Sequence, residues 1–408
     1  MNWALSVDCC EVAGGGGAAG FFGAIAAAEK GLRVIILEAG ESVLAKVRIS
    51  GGGRCNVTHH CFEPSELVKC YPRGNKALRG PLSRFQPQDT VDWFHDRGVT
   101  LKTEDDGRMF PTTDDSQTII DCLSRAAANA GVAVHTRANV TQIIRGDDHF
   151  TIDLKDGHQY RSDRVLLATG GTRAGYRLAA SLGHTIVQPV PSLFTFKISD
   201  PRLAGLMGVS VDAAVCELVT PSGKLQQQGP LLVTHWGMSG PAVLKLSAWG
   251  ARDLFDANYS ATLRVNWLGG RRREAVAAEL AEFKVAHARK TVDSASPWPL
   301  PKRLWKSLVD HAVGGQTVRW AELPKKSLQK LISELVSAEF QITGKGVFKE
   351  EFVTCGGVEL KEVDFRRMES RVCPGLFFAG EILDIDGITG GFNFQNAWTT
   401  SWIAGNSM

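Results

Sequence analysis

Three glycine-rich stretches carry the residues whose types and spacing could do chemistry. The first is Gly15-x-Gly17-x-x-Gly20, followed by an alanine-rich segment, the apolar run Val34-Ile35-Ile36-Leu37 and then Glu38. In that order each part has a physical job. Gly15 permits a tight turn, Gly17 lets the backbone approach a pyrophosphate, and Gly20 lets the next helix pack close to a sheet. The helix start offers N–H groups and a positive dipole end to phosphate. Glu38 follows where a carboxylate can accept hydrogen bonds from a ribose.

The second stretch runs Lys46-Val47-Arg48-Ile49-Ser50-Gly51-Gly52-Gly53-Arg54-Cys55-Asn56. Three successive glycines are useless for core packing, but they expose backbone N–H groups and allow a ligand close. Lys46, Arg48 and Arg54 add positive charge. We read it as a second cradle on the same dinucleotide; the plain alternative is a mobile surface loop. The third stretch runs from the apolar Leu376-Phe377-Phe378-Ala379 into Gly380-Glu381, then through Asp384, Asp386, Gly390 and Gly391 into a helix. N–H groups after Gly391 would face partial negative charge on a ligand. Between the second and third stretches, Arg164-Val165-Leu166-Leu167 leads into Ala168-Thr169-Gly170-Gly171. Small residues at a strand's carboxyl end suit a passing cofactor, and equally a simple turn.

Other reactive side chains give less. The nine cysteines are an odd, scattered set with no C-x-x-C pair, and Cys9 and Cys10 are adjacent. Free thiols in a reducing compartment are expected. Cys55 lies beside the glycine loop but lacks a partner for redox work. His59-His60 before Cys61 reads as a polar loop, so no metal is expected.

The positioning elements follow from pattern. The strand before the first glycines, residues 6–13, is unusual in holding Asp8 and Glu11. Residues 85–98 and 116–130 have helical spacing, and residues 101–111 form a hairpin turning at Asp106-Gly107. Residues 138–144 and 150–154 form a second hairpin. Composition shifts near Pro189-Val190-Pro191, after which residues 192–267 are strand-rich and residues 271–340 helical. The last predicted helix there covers 327–340. The chain has 408 residues, 44% hydrophobic and 22% charged, with net charge +3. That charge gives no reason to expect nucleic acid or an acidic membrane as partner. The uncharged stretch 12–28 is too short and glycine-broken to span a bilayer, and no basic segment precedes it. A soluble, cytoplasmic protein is expected.

Taken together, GGGGAAG, ISGGGRCNVT, ATGG, THWGMSGPA, VTCGGV and LFFAGEILDIDGITGGFNFQNAW resemble the bacterial YhiN/BaiN-like, aminoacetone-oxidase-type NAD(P)/FAD-dependent oxidoreductases, in the family's order from end to end. The resemblance implies an α/β, Rossmann-like FAD-binding domain of the glutathione reductase and fumarate reductase type. It would comprise residues 1–190 and 346–408, interrupted by an inserted domain that is β-rich over 191–270 and helical over 271–345. It also implies that Gly15, Gly17 and Gly20, with Ala18 and Ala19, hold the pyrophosphate, and that Glu38 with Ala39 holds the adenosine ribose. Lys46, Ser50, Gly51, Gly52, Arg54, Cys55 and Asn56 would run along the cofactor towards the flavin ring. Val140 would meet adenine through its backbone, and Ala168, Thr169 and Gly170 would line the adenosine side. Gly380, Glu381 and Asp386 would touch the ribityl and pyrophosphate, with Gly391, Phe392 and Asn393 under the pyrimidine edge.

The implied activity is flavin-mediated hydride or electron transfer on a small organic substrate, with NAD(P)H as a transient donor. No second G-x-G-x-x-G is present, which favours FAD as the only tightly held dinucleotide. His235 and Arg108 are the candidates for facing the flavin. A non-catalytic flavoprotein whose inserted domain binds protein or RNA is the alternative. The sequence departs from relatives after Gly171, where only Thr172-Arg173-Ala174-Gly175 stands in place of a longer glycine-rich loop.

Overall fold

The structure, a computed structural model, describes residues 7–8, 11–346 and 353–408. Ser6, the adjacent Cys9 and Cys10, and Phe352 lie outside the described residues. The chain divides into two compact units, Met1–Pro189 with Val353–Met408, and Val190–Phe352.

The first unit is built on a seven-stranded sheet. Its order is Val363–Asp364, Glu369–Ser370, Leu376–Phe378, Arg164–Leu167, Glu11–Gly14, Val34–Leu37 and Ala133–His135. The last five strands are parallel and the first two antiparallel. Parallel strands covered on both faces read as continuous apolar runs, as Val165-Leu166-Leu167 and Val34–Leu37 do. The Glu11–Gly14 strand is short, yet it holds the middle of the sheet, with Val12 beside Val165 and Ile35. The fingerprint helix Ala18–Ala28 packs on the C-terminal helix Phe392–Ser407. Their close approach needs two glycines: a Cβ at Gly405 would stand 2.3 Å from the Gly23 carbonyl oxygen. Two further sheets of four and three strands belong to the unit. One orders Val7–Asp8, Gln159–Ser162, Phe150–Leu154 and Val140–Arg145; the other orders Thr58–His59, Arg108–Pro111 and Leu101–Thr103.

The second unit is a closed barrel of six strands, Phe196–Ile198, Gly237–Ser239, Gly223–Thr234, Ser210–Thr220, Ala261–Asn266 and Ala338–Lys345. Helices Arg273–Ala286, Lys302–Val313 and Lys325–Ser337 follow its fifth strand. Residues 338–340, expected to end a helix, instead begin the strand that closes the barrel. Ala338, Phe340 and Ile342 are buried while Glu339 and Gln341 are exposed, the two-residue period of a strand. Among the described residues no helix is long and apolar enough to cross a membrane.

One buried network in the first unit resembles a hydrolytic triad by distance alone. His184 Nε2 lies 2.9 Å from Ser370 Oγ, and Nδ1 lies 3.0 Å from Glu362 Oε2. The serine oxygen already accepts N–H bonds from Val372 and Cys373, at 3.0 and 2.7 Å. The arrangement is therefore a structural tie between the Arg173–Ser181 helix end and the sheet edge. Burial lowers the His184 pKa, outweighing Glu362. An unfolded histidine binds its proton near pH ~6.5, so the unfolded state takes up protons first as pH falls below that value. Stability is therefore full above about pH 6.5 and lost below it. Glu362 adds to the loss at still lower pH. Burial raises its pKa, but bonds from Thr185 and His184 prevail and lower it. Urea unfolding between pH 7 and 5 should show this fall, and His184→Gln should flatten it; an unchanged slope in the variant would refute the assignment.

Candidate functional site

The fingerprint glycines carry three separate geometries. Gly15 has φ +116°, and a Cβ there would stand 2.5 Å from the Ala168 carbonyl oxygen. A Cβ at Gly20 would stand 1.8 Å from the Gly15 carbonyl oxygen, so helix and turn touch backbone to backbone. Gly17 is different: no atom lies within 4 Å of its absent Cβ. It opens the Ala18–Ala28 helix, whose first turn has neither an acidic residue nor a side-chain cap. The opening is thus a cradle that a side chain would fill, with unpaired helix N–H groups behind it. Ala18 is half-buried and Ala19 buried in that first turn.

Glu38 ends the neighbouring strand. Its Oε2 accepts the Gly16 N–H and its Oε1 the Gly40 N–H, each at 2.7 Å. Ala39 beside it is exposed. The Glu38 carbonyl accepts the Ala138 N–H at 2.9 Å, which brings Val140, at the start of its strand, close to the acid.

The second stretch folds as one helix, Ala45–Gly53, broken at Ser50. Gly51, Gly52 and Gly53 follow with φ of +58°, +71° and +86°, a left-handed run that side chains would strain. Gly51 packs on Phe110, whereas nothing lies within 4 Å of a Cβ at Gly52 or Gly53. Ser50 Oγ bonds back to the Val47 carbonyl at 3.2 Å. Arg54 lies over the Phe110 ring at 4.0 Å and meets Glu104 Oε1 at 2.6 Å. Arg108 shares that carboxylate, Nη2 to Oε2 at 3.1 Å, and reaches Asp106 at 2.7 Å. Cys55 is fully buried, and burial pushes its thiol up to about 12. It is no redox thiol. Alkylation of the native protein at pH 8 should leave Cys55 unlabelled, read by peptide mass mapping; rapid labelling would contradict its placement.

Sheet ends bring the remaining residues in. Ala168 donates its N–H to the Gly14 carbonyl at 2.9 Å, and Gly175 packs against Thr169. A Cβ at Gly170 would stand 3.6 Å from Glu381 Oε2. That carboxylate oxygen pairs with Lys46 Nζ at 2.6 Å, and Oε1 accepts the Thr354 N–H at 2.9 Å. Gly380 donates to Thr400 Oγ1 at 2.9 Å, and its absent Cβ would lie 3.1 Å from that of Ala19. The fingerprint, the second stretch and the third therefore converge at the carboxyl ends of two central strands.

At the mouth of the C-terminal helix, Gly391 has φ +93° and packs on the Thr58 carbonyl. With the Asn56 amide assigned from its neighbours, its oxygen accepts the Gly391 N–H at 2.9 Å and its nitrogen donates to the Thr58 carbonyl at 3.0 Å. Asn393 bonds twice to Gly387, at 2.8 and 2.9 Å. Phe392 is buried against His59, and its carbonyl accepts the Tyr71 hydroxyl at 2.8 Å. Asp386 is wholly buried, and Arg73 binds both of its oxygens, Nε to Oδ1 at 2.5 Å. Arg73, Tyr71 and Tyr176 carry no motif signal in the sequence. His235 lies in the barrel unit, at the exposed turn between strands Gly223–Thr234 and Gly237–Ser239. Among the described residues no His, Cys, Asp and Glu cluster could hold a metal.

The open Gly17 cradle, the open Gly52 and Gly53 face and the acid ending the second parallel strand fit a dinucleotide such as FAD. Comparison with known proteins agrees. The family described as HI0933-like protein Rossmann domain matches residues 11–407. The chain is 31% identical to the ribosomal RNA dihydrouridine synthase of Escherichia coli K12, over 97% of this chain and 96% of that one. It is 30% identical to the 3-dehydro-bile acid delta(4,6)-reductase of Clostridium scindens, over 96% and 97%. In fold it is similar to a flavocytochrome c3 fumarate reductase, TM-score 0.50 at 18% identity, covering 98% of this chain and 78% of that one. The chain belongs to the HI0933-like family of Rossmann-fold, FAD-dependent oxidoreductases.

Proposed function

We propose that this protein reduces a carbon–carbon double bond conjugated to a carbonyl in a small organic substrate, with NADH or NADPH as the transient electron donor. One observation carries this reading. Relatives of nearly equal identity, each aligned over at least 96% of its length, are named for unlike substrates, a ribosomal uridine and a 3-dehydro bile acid. What the two names share is saturation of a double bond in conjugation with a carbonyl. Bound FAD supplies the hydride for that chemistry.

The chain's own residues do the rest. Gly15, Gly17, Gly20 and the Ala18–Ala28 helix start would hold the pyrophosphate, and Glu38 the ribose. Lys46 and the Gly51–Gly53 run would lie along the cofactor. Asn56 takes the Gly391 N–H, so the N–H groups of Phe392 and Asn393 are the helix-mouth donors left to face developing negative charge. Arg108 is the first unit's candidate for facing the flavin. A cytoplasmic location, with its nicotinamide pool, fits the donor.

A second reading, a uridine within RNA as substrate, is favoured by charge. Residues 190–352 hold 21 Lys and Arg against 15 Asp and Glu, whereas the rest of the chain holds 25 against 28. Anaerobic titration with NADPH and NADH, then addition of a conjugated enone or an unmodified ribosomal RNA fragment, tests both. Bleaching of the flavin bands, recovery on enone and a product gaining two hydrogens are expected. Recovery on RNA alone would transfer the assignment to the second reading, and recovery on neither would overturn both.

A further inference from the structure

The hydroxyl of Tyr176 is buried and makes no hydrogen bond, in a residue only 7% exposed. A buried donor without an acceptor is costly and rare, and it marks a place that something else completes. Its surroundings say what. Tyr176 sits in the first turn of the Arg173–Ser181 helix, which follows Gly170-Gly171 directly. Thr172 caps that helix through the Gly175 N–H, and Gly175 packs so tightly on Thr169 that a Cβ would stand 1.8 Å from Thr169 Oγ1. The short connection therefore fixes the helix start against the strand end.

The Tyr176 hydroxyl lies beside Gly171, where an added Cβ would stand 3.3 Å from it and 2.3 Å from Thr354 Oγ1. Thr354 gives its N–H to Glu381, and Glu381 pairs with Lys46. Burial first, and then the negative charge of Glu381, raise the Tyr176 pKa; the Thr354 hydroxyl lies near enough to oppose this without bonding geometry. The phenol is thus a neutral donor beside a carboxylate whose two oxygens each already have a donor. Gly380, next to Glu381, packs on Ala19 in the first turn of the fingerprint helix. The part of a dinucleotide within reach of this nook is its oxygen-rich ribityl–phosphate chain.

We propose that the Tyr176 hydroxyl donates a hydrogen bond to a ribityl or phosphate oxygen of bound FAD, in the polar nook it shares with Thr354, Glu381 and Lys46. The proposal rests on FAD occupying the fingerprint site. Tyr176→Phe tests it, because the ring's packing is kept and only the oxygen goes. Two readouts are needed, the melting temperature of the apoprotein and the dissociation constant for FAD followed by flavin fluorescence. The apoprotein variant should melt at a higher temperature than wild type, relieved of an unpaired buried hydroxyl. FAD binding should weaken roughly five- to tenfold. A lower apoprotein melting temperature with unchanged FAD affinity would overturn the proposal, making the hydroxyl part of the protein's own packing. Unchanged affinity with any melting temperature would also overturn it. Wild-type protein that fails to take up FAD would instead defeat the cofactor assignment, and is seen without the variant.

Discussion

Gly17→Val should abolish FAD binding and leave the apoprotein folded. Gly17 has φ −89° and ψ −173°, extended backbone that valine adopts without strain. No protein atom lies within 4 Å of the new Cβ. The glycine contributes no side-chain cap, so the cost to the helix is at most about 1 kcal/mol. What the branched side chain occupies is the space through which a phosphate reaches the helix N–H groups. Each hydrogen bond to a charged group contributes about 1.5–3 kcal/mol. Losing two of them is about 3–6 kcal/mol, a weakening of at least a hundredfold. Gly20→Ala is the contrasting control. Its Cβ would stand 1.8 Å from a backbone oxygen that cannot move aside, so this variant should fail to fold. Flavin fluorescence on titration, with apoprotein melting curves, separates the two. Wild-type FAD affinity in Gly17→Val would place the pyrophosphate elsewhere.

These glycines were legible because their work is done by backbone, and a missing side chain is visible in the sequence. The same holds for Gly380 and Gly391, where close approach or positive φ needs glycine. Partnerships are another matter. Lys46 and Glu381 stand out as a base and an acid beside glycines, but their pairing across 335 residues has no local signature. Asp386, in a loop rich in Gly and Asp, reads as an acid facing a ligand. The fold instead buries it against Arg73, 313 residues away. The tie of the Gly391 N–H to Asn56 across 335 residues of chain has no local signature either. The barrel's last strand was hidden by continuity, because the helical period of residues 325–337 runs without a breaker into Ala338, Phe340 and Ile342. Alternation over five residues is too brief to outweigh the helix before it.

The buried Arg73–Asp386 pair supplies the second large effect, and it concerns how the loop before the C-terminal helix is held. The Asp386 carboxylate is 0% exposed. Around it the segment 70–74 grips residues 385–392: the Ile388 N–H reaches the Cys70 carbonyl at 2.9 Å, Tyr71 bonds Phe392, and Gly74 packs on Ile385. Arg73→Ala removes the guanidinium from a carboxylate that has no route to water. Breaking a buried ion pair from one side costs about 3–5 kcal/mol. At about 2–4 °C per kcal/mol for a unit of this size, the apoprotein should melt roughly 10 °C lower. Arg73→Met with Asp386→Leu removes both charges, and replacing a buried ion pair by apolar residues is often neutral or stabilising. That double variant should regain most of the loss while Asp386→Asn alone does not. Calorimetric melting of the four proteins decides between charge and shape. Recovery in the double variant means the single variant fails because a charge is left buried. A double variant as unstable as Arg73→Ala means that the bidentate geometry itself, rather than the cost of isolating either charge, fixes the loop at the helix mouth.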